Sequence, residues 1–243
     1  MNARLVEIME SIQGEGLLVG SRQVFLRFAG CNLRCVYCDT RDSFEPQPFC
    51  LVRPVTGRTD LSNQVDNPLS VEQVLALIKP FSSQWISLTG GEPLLWAGFI
   101  SVMGRSLKKL GHKLLLETNG TLYEQLSECL PYMDLISMDY KLASATGTDC
   151  SFLHTQFLIE AGHHPIYVKI VIDENSHEEE IKQAVQIIAG VNREITLVLQ
   201  PVSSLGKSIA PGFDRLLALQ KICSRDIPDV RIIPQMHKHI GLI

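Results

Sequence analysis

Short runs of apolar residues alternate along the chain with longer segments in which apolar positions recur three and four apart. The short runs have the period of strands and the longer segments that of amphipathic helices, so the pattern predicts β/α units around a parallel sheet. Val24 to Phe28 is the first predicted core strand. Further strands are expected at Ile86 to Leu88, Leu114 to Leu116, Leu135 to Met138, Tyr167 to Ile172, Thr196 to Leu199 and Val230 to Ile232. Ser70 opens a helix with a capping box, its hydroxyl meeting an early backbone N–H while Gln73 reaches back; Val71, Val74, Leu75 and Ile78 mark one face. Helices fill most of the remaining gaps, including Glu178 to Ile188 and Phe213 to Cys223.

The rhythm breaks between about residues 41 and 69, where Pro, Asp, Asn and Ser accumulate and neither period persists. This stretch is predicted to be a long loop insertion, part of it mobile without ligand. The whole chain, 1–243, is otherwise expected to form a single domain, because 45% hydrophobic content supplies one substantial core. A net charge of −4, with Lys and Arg spread along the chain, argues against a protein that tracks phosphates, so no direct nucleic-acid partner is expected. The N-terminus carries acidic and polar residues where a signal peptide needs an apolar stretch, and no apolar run reaches membrane-spanning length. The expected location is cytoplasmic.

In a reducing compartment cysteines serve as ligands, nucleophiles or small core residues more often than as disulfide partners. Cys50, Cys129, Cys150 and Cys223 are isolated and are expected to be small buried hydrophobes. Cys31-Asn-Leu-Arg-Cys35-Val-Tyr-Cys38 differs, because three thiols fall in one loop directly after a predicted strand. Active sites of parallel β/α folds gather at that end of the strands. Three thiolates can each hold one iron of a four-iron cube and leave the fourth iron open to another ligand. The alternatives are a zinc site, closed by a distant His112 or His237, and an electron carrier whose cluster recruits an isolated cysteine.

This spacing, with an aromatic Tyr37 just before the last cysteine, resembles the signature of the radical S-adenosylmethionine superfamily. The resemblance implies an incomplete (β/α) barrel, a [4Fe–4S] cluster on Cys31, Cys35 and Cys38, and adenosylmethionine chelating the open iron. Thr89-Gly90-Gly91-Glu92-Pro93 ends another predicted strand, where paired glycines admit a ligand to the backbone and a carboxylate can accept from an ammonium group. Alone, that segment is equally a strand-to-helix turn. Glu117-Thr118-Asn119-Gly120, Ser137 to Lys141 and Gln200-Pro201 also sit at strand ends, where the ordinary role is a cap or loop residue. By resemblance, Tyr37, Asp39, Gly90, Gly91, Glu92, Glu117, Ser137, Asp139, Lys141 and Gln200 surround adenosylmethionine.

Ser11-Ile12-Gln13-Gly14-Glu15-Gly16 and Arg27, with Gln235-Met236-His237-Lys238 near the end, narrow the resemblance to the 7-carboxy-7-deazaguanine synthase family. That implies radical ring contraction of 6-carboxy-5,6,7,8-tetrahydropterin with loss of ammonia, on the route to queuosine and related 7-deazapurines. Ile12, Gln13, Gly14, Glu15, Arg27 and Thr89 are then the substrate residues. Arg27 can pair with a carboxylate through two hydrogen bonds, while Gln13 and Glu15 read the polar edge of a pterin. Thr40 resembles the position whose hydroxyl binds Mg²⁺, a cation that prefers oxygen ligands. The family further implies a homodimer, an electron donor such as flavodoxin or ferredoxin, and a terminal carboxylate near the substrate. An activase of glycyl-radical enzymes shares the cysteine spacing and glycine motif and is the enzymatic alternative.

Overall fold

A computed structural model of the chain describes residues 1–45, 47–53, 62–202 and 211–241. The N-terminal third holds β1 (Asn2–Ala3), β2 (Leu5–Ile12), β3 (Arg22–Phe28), β4 (Phe49–Arg53), β5 (Asn63–Asp66), β6 (Leu69–Ser70) and α1 (Val71–Ile78). Next come β7 (Trp85–Gly90), α2 (Ala97–Lys109), β8 (Lys113–Thr118), α3 (Tyr123–Cys129), β9 (Leu135–Asp139), α4 (Ala143–Thr146) and α5 (Ser151–Ala161). The chain finishes with β10 (Ile166–Ile172), α6 (Glu178–Asn192), β11 (Thr196–Pro201), α7 (Phe213–Cys223), β12 (Val230–Ile232) and α8 (Met236–His239).

Ten strands form one sheet in the order β12-β11-β10-β9-β8-β7-β3-β2-β4-β5. From β3 to β12 every neighbouring pair is parallel. The two ends of the sheet do not pair with each other, so the barrel stays open as expected. Helices α1, α2, α3, α5, α6 and α7 pack in succession on the convex face. Strand alternation feeds that layer: Leu26, Ile86, Leu114, Leu116, Ile136, Met138, Val168, Ile170, Leu197 and Leu199 are buried with Val74, Ile100, Met103, Leu126, Phe157, Ile181, Ala184 and Leu216. The four isolated cysteines are all buried, in keeping with their expected role.

Two expectations need correction. Val24–Phe28 is not the first core strand, because β2 precedes it and pairs antiparallel with β3. Glu7 and Glu10 interrupt the apolar run of β2, and each meets partners from elsewhere in the chain: Glu7 pairs with Arg27 and Arg53, Glu10 with Arg22, Ser82 and Ser83. The stretch from 41 to 69 is not simply a loop. Its β4 adds to β2 in parallel and its β5 returns antiparallel, extending the sheet edge. Residues 46 and 54–61 of this stretch lie outside the described residues, as does Ile243 with its terminal carboxylate. Among the described residues no helix is long and apolar enough to cross a membrane.

Candidate active site

The positions that alternate with the core residues face the concave side of the sheet. There, register aligns Arg27 with Thr89, Glu117 with Ser137, Lys169 with Asp139, and Gln200 with Val171. Because all these strands run parallel, their polar C-terminal ends arrive at one rim, where they surround a cavity of about 580 Å³. Apart from Glu92, every residue that the resemblance assigns to the cluster, adenosylmethionine, Mg²⁺ or the substrate lines this cavity, whereas His112, a candidate for closing a zinc site, does not.

Cys31, Cys35 and Cys38 stand in the loop leaving β3 and are all partly exposed to the cavity. The β7 turn braces that loop: Gly91 N–H donates to Phe28 O at 3.0 Å and Glu92 N–H to Gly30 O at 2.8 Å. The β8 turn holds it from another side, since Asn119 Nδ2 donates to Asn32 Oδ1 at 2.8 Å and Asn32 Nδ2 to Thr121 Oγ1 at 2.8 Å. Burial pushes the Cys35 thiol up to about 11, so a cationic group is needed to hold it as a thiolate, as a bound iron does. A tetrahedral zinc ion with bonds of about 2.3 Å would draw its sulfur ligands to roughly 4 Å from one another. Among the described residues only Glu15, Asp39 and His237 offer three ligand atoms within 4.8 Å; the cysteine sulfurs are spread wider. That spacing suits ligands to separate corners of a cube better than ligands to one ion.

Glu92 departs from its expected place. Its carboxylate is 0% exposed and accepts from Leu94 N–H at 3.0 Å, Thr118 Oγ1 at 2.7 Å and Asn119 N–H at 2.8 Å. It therefore ties the Gly90–Gly91 turn to the end of β8 and does not present an acceptor to the cavity. Burial raises this carboxyl to about 7 in spite of those three donors. On the carbonyl side of the same residue, His154 Nε2 lies 3.1 Å from Asn119 O.

The rest of the wall is polar and only partly satisfied from within. Buried Tyr37 Oη, Asp139 Oδ1 and Gln200 Oε1 have no hydrogen-bond partner among the described residues. Buried polar atoms left in this state are costly, and three of them around one cavity fit a ligand rich in polar groups, as adenosylmethionine is. Lys141 donates to Asp139 Oδ2 at 2.7 Å and lies over the Tyr37 ring, 5.2 Å from its centroid. Thr40 Oγ1 is 3.8 Å from Cys38 Sγ.

The N-terminal segment forms another part of the cavity wall. Gln13 Nε2 donates to Glu117 Oε1 at 2.8 Å, and its Oε1 accepts from Glu15 N–H at 3.1 Å. Gly14 leaves no room for a Cβ beside the His237 side chain. Arg27 donates through Nε to Glu7 at 2.7 Å, and no hydrogen bond among the described residues engages its Nη nitrogens. Two further residues, Lys169 and Gln235, organise this wall; Gln235 donates to Glu15 at 2.9 Å and to Asp39 at 3.2 Å. Lys169, to which the sequence reading gave no role, carried a signal as a lone cation inside the apolar strand Ile-Tyr-Val-Lys-Ile-Val-Ile; Gln235 entered only as part of the C-terminal motif.

An open parallel barrel with three loop cysteines at its rim defines a radical S-adenosylmethionine enzyme, and residues 26–144 match the Radical SAM superfamily. Members bind a [4Fe–4S] cluster and adenosylmethionine. The chain belongs to the 7-carboxy-7-deazaguanine synthase family: it is 42% identical to the 7-carboxy-7-deazaguanine synthase of Geobacter sulfurreducens over 98% of this chain and 97% of that one. The synthase of Archaeoglobus fulgidus is 36% identical over the full length of both chains. The crystal structure of QueE from Escherichia coli has the same fold, with a TM-score of 0.66 at 21% identity over 98% of this chain and 95% of that one. Family membership decides against the activase and electron-carrier alternatives.

Proposed function

We propose that this chain converts 6-carboxy-5,6,7,8-tetrahydropterin to 7-carboxy-7-deazaguanine with release of ammonia, at the cavity between the cysteine loop and the N-terminal segment. The observation that carries this reading is that three cysteines and the Gln13–Glu15 segment line one cavity. Its volume, about 580 Å³, falls within the range of roughly 300–1,000 Å³ usual for small-molecule sites. When bound, the cluster and adenosylmethionine supply one-electron cleavage of a sulfonium bond and hence a hydrogen-abstracting radical.

The chain's own residues bind, orient and exclude water. Cys31, Cys35 and Cys38 supply the cluster thiolates. Gly90 and Gly91 admit the cosubstrate to the backbone, Asp139 Oδ1 and Gln200 Oε1 accept from its polar groups, and Tyr37, Asp39, Glu117, Ser137 and Lys141 complete its surroundings. Arg27 Nη nitrogens pair with the pterin carboxylate, while Ile12, Gln13, Gly14, Glu15 and Thr89 hold the ring. Thr40 offers an oxygen to Mg²⁺, the substrate carboxylate supplying another. The same reading takes residues 1–243 as one domain acting in the cytoplasm as a homodimer, with flavodoxin or ferredoxin as reductant.

Anaerobically reconstituted protein given carboxytetrahydropterin, adenosylmethionine, reductant and Mg²⁺ should form carboxydeazaguanine. No product from protein with an intact cluster would reject the substrate, and turnover unchanged by chelation of Mg²⁺ would reject the role of Thr40.

A further inference from the structure

Lys169 lies in the middle of β10, is 7% exposed, and points to the concave face between Tyr167 and Val171. A buried ammonium is tolerated only when counter-charges surround it. Two do: its Nζ donates to Glu15 Oε2 and lies 3.5 Å from Asp139 Oδ2. The two carboxylates depend on it unequally. Asp139 already holds Lys141 at 2.7 Å, whereas Lys169 is the one Lys or Arg paired with Glu15 among the described residues.

Glu15 sits on the loop after β2, away from any regular hydrogen-bond ladder. The segment it ends is pegged to the sheet at two points, Gln13 by Glu117 of β8 and Glu15 by Lys169 of β10. The glycine between them is packed against His237 and cannot take up slack. Burial by itself would raise the Glu15 carboxyl, but the charge and hydrogen bond of Lys169, with Gln235, hold it well below the ordinary carboxylate range. Glu15 is therefore kept as an acceptor in one orientation.

We infer that Lys169 is a positioning residue for the substrate: acting through Glu15, it fixes the Gln13–Glu15 segment in the geometry that binds the pterin, while the cosubstrate side stands without it. This rests on the pterin reading above, and equilibrium binding separates the two. Binding is measured on cluster-loaded protein without reductant, following pterin fluorescence for the substrate and calorimetry for adenosylmethionine. Lys169→Met should weaken pterin binding by about tenfold or more and leave adenosylmethionine binding within about threefold. Glu15→Gln should weaken the pterin similarly, and the double variant should be no weaker than the weaker single one, because both act through one pair.

Pterin binding unchanged in Lys169→Met, or adenosylmethionine binding weakened equally, overturns the inference while leaving the pterin reading intact. Wild-type protein that binds no pterin overturns both. If Lys169→Met leaves Glu15 buried and unpaired so that the chain does not fold, the double variant removes both charges and carries the test: it should fold and bind the pterin as Glu15→Gln does. Pterin binding by that double variant as in wild type overturns the inference.

Discussion

At Gly91 the side chain is constrained to nothing at all. An added Cβ would run into the carbonyl oxygen of Gly30, a backbone atom of the cluster loop that cannot rotate away. Gly91→Ala must therefore push the β7 turn and the cysteine loop apart. A loss of about 1–3 kcal/mol in stability is expected, as for other overpacked sites, together with lower iron content after reconstitution. Thermal melts and iron analysis check the two effects; a variant with wild-type iron content would show that the contact does not set the cysteine loop. Glycines, cysteines and Arg27 were legible as residues because few other side chains can do what they do. Their partners were not: Arg27 is anchored by Glu7 across the β2–β3 pair, and Glu92 turns inward to Asn119 beyond the end of β8, contacts that form only once the strands have paired.

Elements followed local rules wherever neighbours in sequence supplied the contacts. The α1 capping box is present, Ser70 Oγ accepting from Gln73 N–H at 3.3 Å and Gln73 Oε1 from Ser70 N–H at 2.8 Å. Ser70→Ala should cost about 1 kcal/mol, measured by chemical denaturation, with Gln73→Ala losing a comparable amount; an unchanged midpoint for both would mean the cap adds nothing. Strand β2 and the β4–β5 hairpin were illegible for the opposite reason. Their charged or polar residues gain partners only after the sheet has formed, so neither run shows a clean apolar period.

Two buried groups hold the backbone N–H and C=O of Asn119 and should shape the stability of the whole molecule with pH. Burial raises Glu92 from an ordinary 4.5 to about 7, so its contribution is full below 4.5 and is lost as pH rises through about 7. Burial lowers His154 from 6.5 to about 4, so its contribution is full above 6.5 and is lost as pH falls through about 4. The slopes oppose each other across the same window, each at most about 1.4 kcal/mol per pH unit. His154→Leu should therefore make the protein lose stability as pH rises from about 5 to 7, and Glu92→Gln should make it lose stability as pH falls over that range. Denaturation midpoints across the window check both, and parallel profiles in the two variants would contradict the pairing.

By itself the sequence determined the strand and helix rhythm, the helix cap and the chemistry of the cysteine loop, because these depend on residues close together in the chain. Tertiary structure alone decided that a hairpin widens the sheet edge and that Lys169, Glu15 and Asp139 share one charge cluster. The reason is reach: a parallel sheet brings to one rim side chains separated by whole β/α units, and no local pattern records which of them meet.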